Sequence, residues 1–222
     1  MNKRIMTIAS MVRKGQILAD IGTDHAQLPI LLVQNGTCPK AYASDIASGP
    51  LAIAAENIHA ADLNSRIETI LSDGFEEIPA DAQCAVIAGM GFWTAQAILE
   101  KAQKRLPKLS QILVQVNGDT DLLRRWISSC GWTVEAEEMV EERDHYYTVI
   151  EFSTRPHAPY TYEEILCGPL LIRDKPSEFV RFCRHSAAQL SDVVSRRGRI
   201  DQKQGELKKR IAVYRRYAEE KN

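Results

Sequence analysis

From residue 17 to about residue 153, short apolar runs alternate with stretches whose apolar residues recur every three or four positions. The runs at 17–21, 41–44, 67–71, 85–88 and 112–116 do not alternate apolar with polar, which predicts strands covered on both faces. Between them, AQLPILLVQNG, GPLAIAAENIHAA, FWTAQAILEKAQKRL and DTDLLRRWISSCG read as helices, the last two ending near Pro107 and Gly131. Strand and helix in strict alternation predict a parallel sheet with helices on both faces. After Gly131 the rhythm changes. WTVEAEEMVEE and HYYTVIEFS flank Glu142-Arg143-Asp144 with no helix between them, so an antiparallel pair is expected to close the sheet's edge.

The opening MNKRIMTIASMVRKGQ reads as an amphipathic helix with Ile5, Ile8, Ala9 and Val12 on one face. It lacks the apolar core and cleavage site of a signal peptide, and no run approaches the ~18 residues of a membrane helix, so a cytoplasmic location is expected. Residues 153–162, STRPHAPYTY, form a Pro-rich break read as a linker. Beyond a short segment around CGPLLI, Phe179, Phe182, Ser186, Leu190 and Val193 step by three and four. After Arg197-Gly198-Arg199, so do Ile200, Gln204, Leu207, Ile211, Tyr214 and Ala218. Two such seams joined at a glycine predict an antiparallel helical hairpin. The expected organisation is an α/β domain over 1–155 and a coiled-coil hairpin over 156–222.

Charge sharpens this division. The chain carries a net charge of −1, yet residues 1–172 hold 14 Lys+Arg against 22 Asp+Glu, while residues 173–222 hold 14 against 7. A basic module on an acidic domain suggests a polyanionic partner, with a solvated helix face as the alternative. The five cysteines are widely spaced, with no CxxC pair, so neither a disulfide frame nor a metal site is expected.

In open α/β sheets ligands lie beyond the carboxyl ends of the strands. Those ends carry Asp20 to His25, Asp45, Asp73-Gly74, Gly89-Met90-Gly91 and Gln115 to Asn117. A dinucleotide loop needs G-x-G-x-x-G to close on a pyrophosphate, whereas this chain has D-I-G-T-D-H. Two carboxylates would repel a diphosphate by several kcal/mol at an effective dielectric of about 20. They suit S-adenosylmethionine, which carries an ammonium and a sulfonium and no phosphate. On this reading Asp45 takes ribose hydroxyls, Asp73 the adenine amine, and Gly89 and Gly91 keep the backbone bare for substrate. Plainer readings stand beside these. Thr23 or Asp24 would cap the helix near Ala26, His25 would pack or cap, Asp73-Gly74 would be a turn, and Phe92 and Trp93 would face the core.

These residues resemble the bacterial tRNA adenine-N(1) methyltransferases that act at tRNA position 22. ADIGTDHAQLP, SGPLAIAAEN, SDGFEEI, IAGMG, LVQVN followed by LLRRW, and CGPLL carry the resemblance from about residue 3 to the C-terminus. Three positions depart from the family pattern: Phe92, Val116 within Gln115-Val116-Asn117, and Thr148 after Tyr147. The resemblance implies a Rossmann-like class I methyltransferase sheet with a C-terminal coiled coil. It also implies S-adenosyl-L-methionine as cofactor and tRNA as partner, without metal or membrane, in a monomer or weak dimer. Catalysis then falls to Asp24, with His25 and Asn117 positioning the base. Cofactor binding falls to Asp20, Gly22, Thr23, Asp45, Asp73, Gly74, Gly89, Met90 and Gly91. The RNA clamp would be Arg184, Arg196, Arg197, Arg199, Lys203, Lys208, Lys209, Arg215 and Arg216, with Arg181 and Arg210 beside them. A methyltransferase for another substrate, a non-catalytic cofactor-binding protein and, last, an oxidoreductase are the rival readings.

Overall fold

The computed structural model describes residues 2–196 and 202–219, the side chains of 202 and 203 excepted. Its strands are Leu18–Ile21 (β1), Ala41–Asp45 (β2), Ile67–Leu71 (β3), Cys84–Met90 (β4), Gln111–Val116 (β5), Trp132–Glu142 (β6) and His145–Pro156 (β7). They form one sheet in the order β3-β2-β1-β4-β5-β7-β6. The first five are parallel, and β1, β2, β4 and β5 follow from their apolar runs because a strand covered on both faces has little room for polar residues; β3, expected to be covered likewise, is an edge strand buried only at Ile67. The antiparallel pair forms as expected, but not simply as an edge hairpin. β7 lies against β5, with Val114 opposite Ile150, and β6 is left outermost. β7 also runs through the first four residues of the expected linker, which reduces the break to 157–161.

The helices are Lys3–Met11 (α1), Gln27–Gln34 (α2), Ser48–Ala60 (α3), Phe92–Lys101 (α4), Thr120–Ser129 (α5), Tyr162–Cys167 (α6), Pro169–Asp174 (α7), Ser177–Arg196 (α8) and Gln202–Tyr217 (α9). One face of the sheet packs under Ile8 of α1 and Val12 just beyond it, Leu32 and Val33 of α2 and Ile58 of α3. The other packs under Leu99 of α4 and Leu123, Trp126 and Ile127 of α5. Helices on both faces place the reversal of strand order between β1 and β4, so the carboxyl ends of those strands diverge into a crevice.

α8 and α9 pack as a hairpin on a third cluster that includes Leu171, Phe179, Cys183, Val213 and Tyr214. The glycine expected at the reversal lies outside the described residues. The α6–α7 segment that precedes the hairpin is tied to the sheet through Arg124 of α5 and Glu137 of β6. Their side chains are 3% and 0% exposed, with Nε donating to Oε1 over 2.6 Å. Glu137 Oε2 also accepts from Leu170 N at 3.0 Å, at the start of α7. Gly168 has φ +99, and a Cβ there would lie 2.6 Å from Glu137 Oε2, so the connection between α6 and α7 admits no side chain.

Candidate active site

The loop after β1 reaches the crevice through a backbone that few side chains tolerate. Gly22, His25 and Ala26 all have positive φ, at +77, +59 and +55. Conformations of that kind in non-glycine residues persist where the surroundings impose them, and they cluster at functional sites. Here the surroundings are visible. The amides of Gly22 and Thr23 both donate to Ser44 O, at 2.8 and 2.7 Å, which folds the loop back onto β2. Asn57 Nδ2 of α3 donates to His25 O at 3.0 Å.

Asp20 sits beneath this loop, 7% exposed, accepting from Thr23 Oγ1 at 2.7 Å. Burial pushes its carboxyl up to about 6; the Thr23 hydroxyl offsets part of that rise, and the Asp45 carboxylate adds to it. The capping reading of Thr23 and Asp24 fails. Ala26 is the N-cap of α2 and no side chain bonds there, because Thr23 is committed to Asp20. Asp24 projects outward with its side chain 81% exposed and Oδ1 3.0 Å from His25 Nε2.

A cleft of about 240 Å³ opens beside the loop, walled by Gly22, Asp45, Ile46, Asp73, Gly74, Met90, Ile98 and Lys101. A Cβ on Gly22 would lie 2.7 Å from Met90 Cε, and one on Gly74 would lie 3.1 Å from Ile98 Cγ2. Both glycines therefore let apolar side chains form the wall of a flat slot. Ile46, 69% exposed, is a large apolar side chain left open at that slot. Asp45 turns one oxygen to its own Ala47 amide at 2.9 Å, and the Asp73 carboxylate is ion-paired with Lys101.

Across the crevice, the ends of β4 and β5 are stitched together. Gly89 has φ +80, at a break in register between Ala88 and Met90. The buried Gln115 accepts from Gly89 N at 3.1 Å, and its Nε2 donates to Asn117 Oδ1 at 3.2 Å. Asn117 Nδ2 donates to Gly89 O at 2.7 Å. Gly91, the N-cap of α4, has nothing within 4 Å of where a Cβ would be, so the backbone is open there.

Residues 1–150 match the family described as Methyltransferase domain. The tRNA (adenine(22)-N(1))-methyltransferase of Bacillus subtilis is 32% identical over 190 residues, 82% of this chain and 79% of that protein. The chain belongs to the tRNA (adenine(22)-N(1))-methyltransferase family. Among solved members and neighbours, M. capricolum TrmK in complex with S-adenosyl-homocysteine superposes with a TM-score of 0.85 at 30% identity, covering 98% of this chain and 97% of that one. Sp1610 of Streptococcus pneumoniae in complex with S-adenosyl-L-methionine gives 0.89 at 27% identity, covering 99% and 100%.

Within this methyltransferase fold, the expected site residues divide by position. Gly22, Asp45, Asp73, Gly74 and Met90 line the slot; Asp20, Thr23, Asp24 and His25 belong to the β1 tip and its loop; Gly89 and Gly91 stand at the end of β4; and Asn117 lines a separate recess beyond β5. Trp93 does not face the core; it is 71% exposed one residue beyond the buried Phe92, whose ring lies 5.0 Å away. The core-facing reading holds for Phe92 alone, since adjacent helix positions point about 100° apart.

The hairpin's cations are more occupied than their number suggests. Arg196 pairs with Asp192, Arg216 with Glu163, Arg181 with Glu141 and Glu178, and Arg210 with Asp121. Arg184 donates to Ala218 O, Arg215 to Ser191 Oγ, and Lys209 lies 3.8 Å over the Tyr162 ring. Lys208 is exposed and makes no such contact among the described residues. Arg197, Arg199 and the side chain of Lys203 lie outside the described residues.

One site residue was missed by sequence reasoning. Arg4 of α1 donates from Nη1 to Gln115 Oε1 at 2.9 Å, 111 positions away in the chain. The amphipathic pattern of α1 located its core face, and nothing in the sequence tied that helix to the strand tips.

Proposed function

We propose that this protein transfers the methyl group of S-adenosyl-L-methionine to N(1) of adenine 22 in tRNA. The observation that carries the reading is the mouth between β1 and β4. Asp45 lines a slot beside two glycines, Asp24 stands free in the loop next to it and Asp20 lies beneath that loop, while the one cation among the slot's lining residues, Lys101, is already taken by Asp73. The family membership and the complexes of its relatives support the same reading.

The residues present fit that cofactor. The apolar slot between Ile46 and Ile98 suits a flat heterocycle, Asp45 can take ribose hydroxyls, and Asp20 below the loop favours an ammonium. When bound, the cofactor supplies an electrophilic methyl on a positively charged sulfur. Asp73 would accept from the adenine amine with the oxygen that Lys101 leaves free.

The remaining work belongs to the chain. Adenine N(1) carries no proton in the neutral base, so its lone pair attacks without prior deprotonation. Positive charge then grows on the ring, and the exocyclic amine becomes more acidic. Asp24, exposed and steadied by His25, accepts from that amine and lowers the energy of the developing cation, or takes its proton as product forms. Asn117, held to Gly89, orients the base by its amide. The base must leave its stack in the folded RNA to enter. Residues 1–155 form the catalytic domain in this reading, and the basic hairpin over 156–222 holds the backbone.

The test is direct. Protein, labelled methyl donor and unmodified tRNA are incubated, and the RNA is digested and mapped. 1-Methyladenosine at position 22 is expected; label in another nucleoside, or none with cofactor bound, overturns the proposal.

A further inference from the structure

Where β5 ends and β7 begins lies a second recess, of about 650 Å³, walled by Arg4, Asn117, Glu142, Arg143, His145 and Tyr147. It shares no lining residue with the slot beside the β1 loop. Arg4 is its most informative residue. The guanidinium is half-buried, and its Nη1 is held by Gln115 and pressed against Gly89, where a Cβ would lie 3.2 Å away. The Tyr147 ring centre is 5.4 Å from Cζ. Nε is buried and bonds to nothing among the described residues. No carboxylate among the described residues pairs with this arginine, and the nearby Glu142 accepts instead from Lys3 N at 2.8 Å.

A guanidinium has five N–H donors and no acceptor, and one taken out of water without a counterion is costly. The fold nevertheless spends one amide and one aromatic face on fixing this group at the rim of the crevice. An oxyanion would use the free donors in the forked geometry that arginine offers and lysine does not. Arg143 and His145 line the same recess, and both are exposed.

Resting on the proposed RNA substrate, we infer that the Arg4 recess receives a backbone phosphate of the RNA beside the target adenosine. Tyr147 and Asn117 on the same wall then meet the nucleoside that this phosphate carries. Arg4 thereby orients the nucleotide and, through Gln115 and Gly89, the strand ends that hold Asn117.

The test compares the full-length protein with Arg4→Met, which keeps the packed stem, and Arg4→Lys, which keeps the charge. RNA affinity is measured against salt, cofactor affinity by calorimetry, and folding by thermal melt. Arg4→Met is expected to lower the slope of log K against log salt by about one phosphate contact and affinity about tenfold at low salt. Cofactor affinity should stay within about twofold. Arg4→Lys should keep the slope and lose kcat/KM, since a point charge does not make the forked contact. An unchanged slope in Arg4→Met overturns the inference. So does weaker cofactor binding with the slope intact, which would assign the guanidinium to the cofactor carboxylate.

If Arg4→Met does not fold, RNAs carrying single neutral methylphosphonates near the target test the unsubstituted protein. One linkage must cost about tenfold in the wild-type protein and about as much with Arg4→Lys, which keeps the charge; a flat response along the backbone overturns the inference. Failure of the wild-type protein to methylate adenine 22, with the slope change intact, would sink the proposed reaction and leave the phosphate site standing.

Discussion

Asp20→Asn is expected to stabilise the protein while damaging its site. The folded carboxyl titrates at about 6 against an ordinary 3.8, chiefly because burial disfavours the charged form. At 1.36 kcal/mol per pH unit the difference corresponds to roughly 3 kcal/mol. The sign follows from proton counting. Between pH 3.8 and about 6 the folded protein holds a proton that the unfolded chain has released, so stability falls as pH rises through that window and stays low above it. Asparagine is close in shape, still accepts from the Thr23 hydroxyl and carries no charge to desolvate. In urea unfolding without cofactor, the substitution should add up to about 3 kcal/mol at pH 7.5 and little at pH 4. Affinity for S-adenosyl-L-methionine should fall by about tenfold or more, since a hydrogen bond to a charged group contributes about 1.5–3 kcal/mol. A loss of stability at pH 7.5, or the same change at both pH values, would refute the reasoning.

Further substitutions probe the loop, the slot and the buried ion pair. Asp24→Ala should slow single-turnover methyl transfer by about 100-fold or more, within the range of a positioned acid or base, with cofactor affinity little changed; equal losses would move Asp24 into the cofactor site. Gly22→Ala should lower stability by about 1–2 kcal/mol from its left-handed backbone alone and weaken cofactor binding through the 2.7 Å approach to Met90 Cε. Adding Met90→Ala should relieve the second loss, read by calorimetry, and leave the first, read by thermal melt. Glu137→Ala should cost about 3–5 kcal/mol in urea unfolding because it leaves Arg124 buried without its counterion. A change below about 1 kcal/mol would mean that the clamp between the sheet and the α6–α7 segment carries little stability.

What the sequence disclosed, and what it withheld, divides along a physical line. The parallel strands were legible where burial on both faces writes itself into consecutive residues, as in Gln111–Val116, buried along its whole length; β3, at the sheet's edge, is buried only at Ile67 and was found by its apolar residues without the full cover expected of it. The place of β7 between β5 and β6 was not, since a strand's neighbours are chosen by the sheet and leave no mark on its own alternation. The acid at the strand tips was legible by type. Its division of labour was not, because Asp20 and Asp24 differ by four positions in sequence and by nearly the full range of exposure in space.

The Thr23 hydroxyl accounts for that difference. Bonded to Asp20, it leaves α2 uncapped, and the loop crosses two left-handed residues before the helix begins. Local preference would have spent Thr23 or Asp24 on the cap, for about 1 kcal/mol. The fold forgoes that gain, and the result is one carboxylate buried under the loop and another standing free at the mouth. Stability alone would favour neither. A cationic ligand favours the first and a base acquiring positive charge favours the second, so the sacrifice of the cap is itself an argument that this loop is shaped by chemistry rather than by folding.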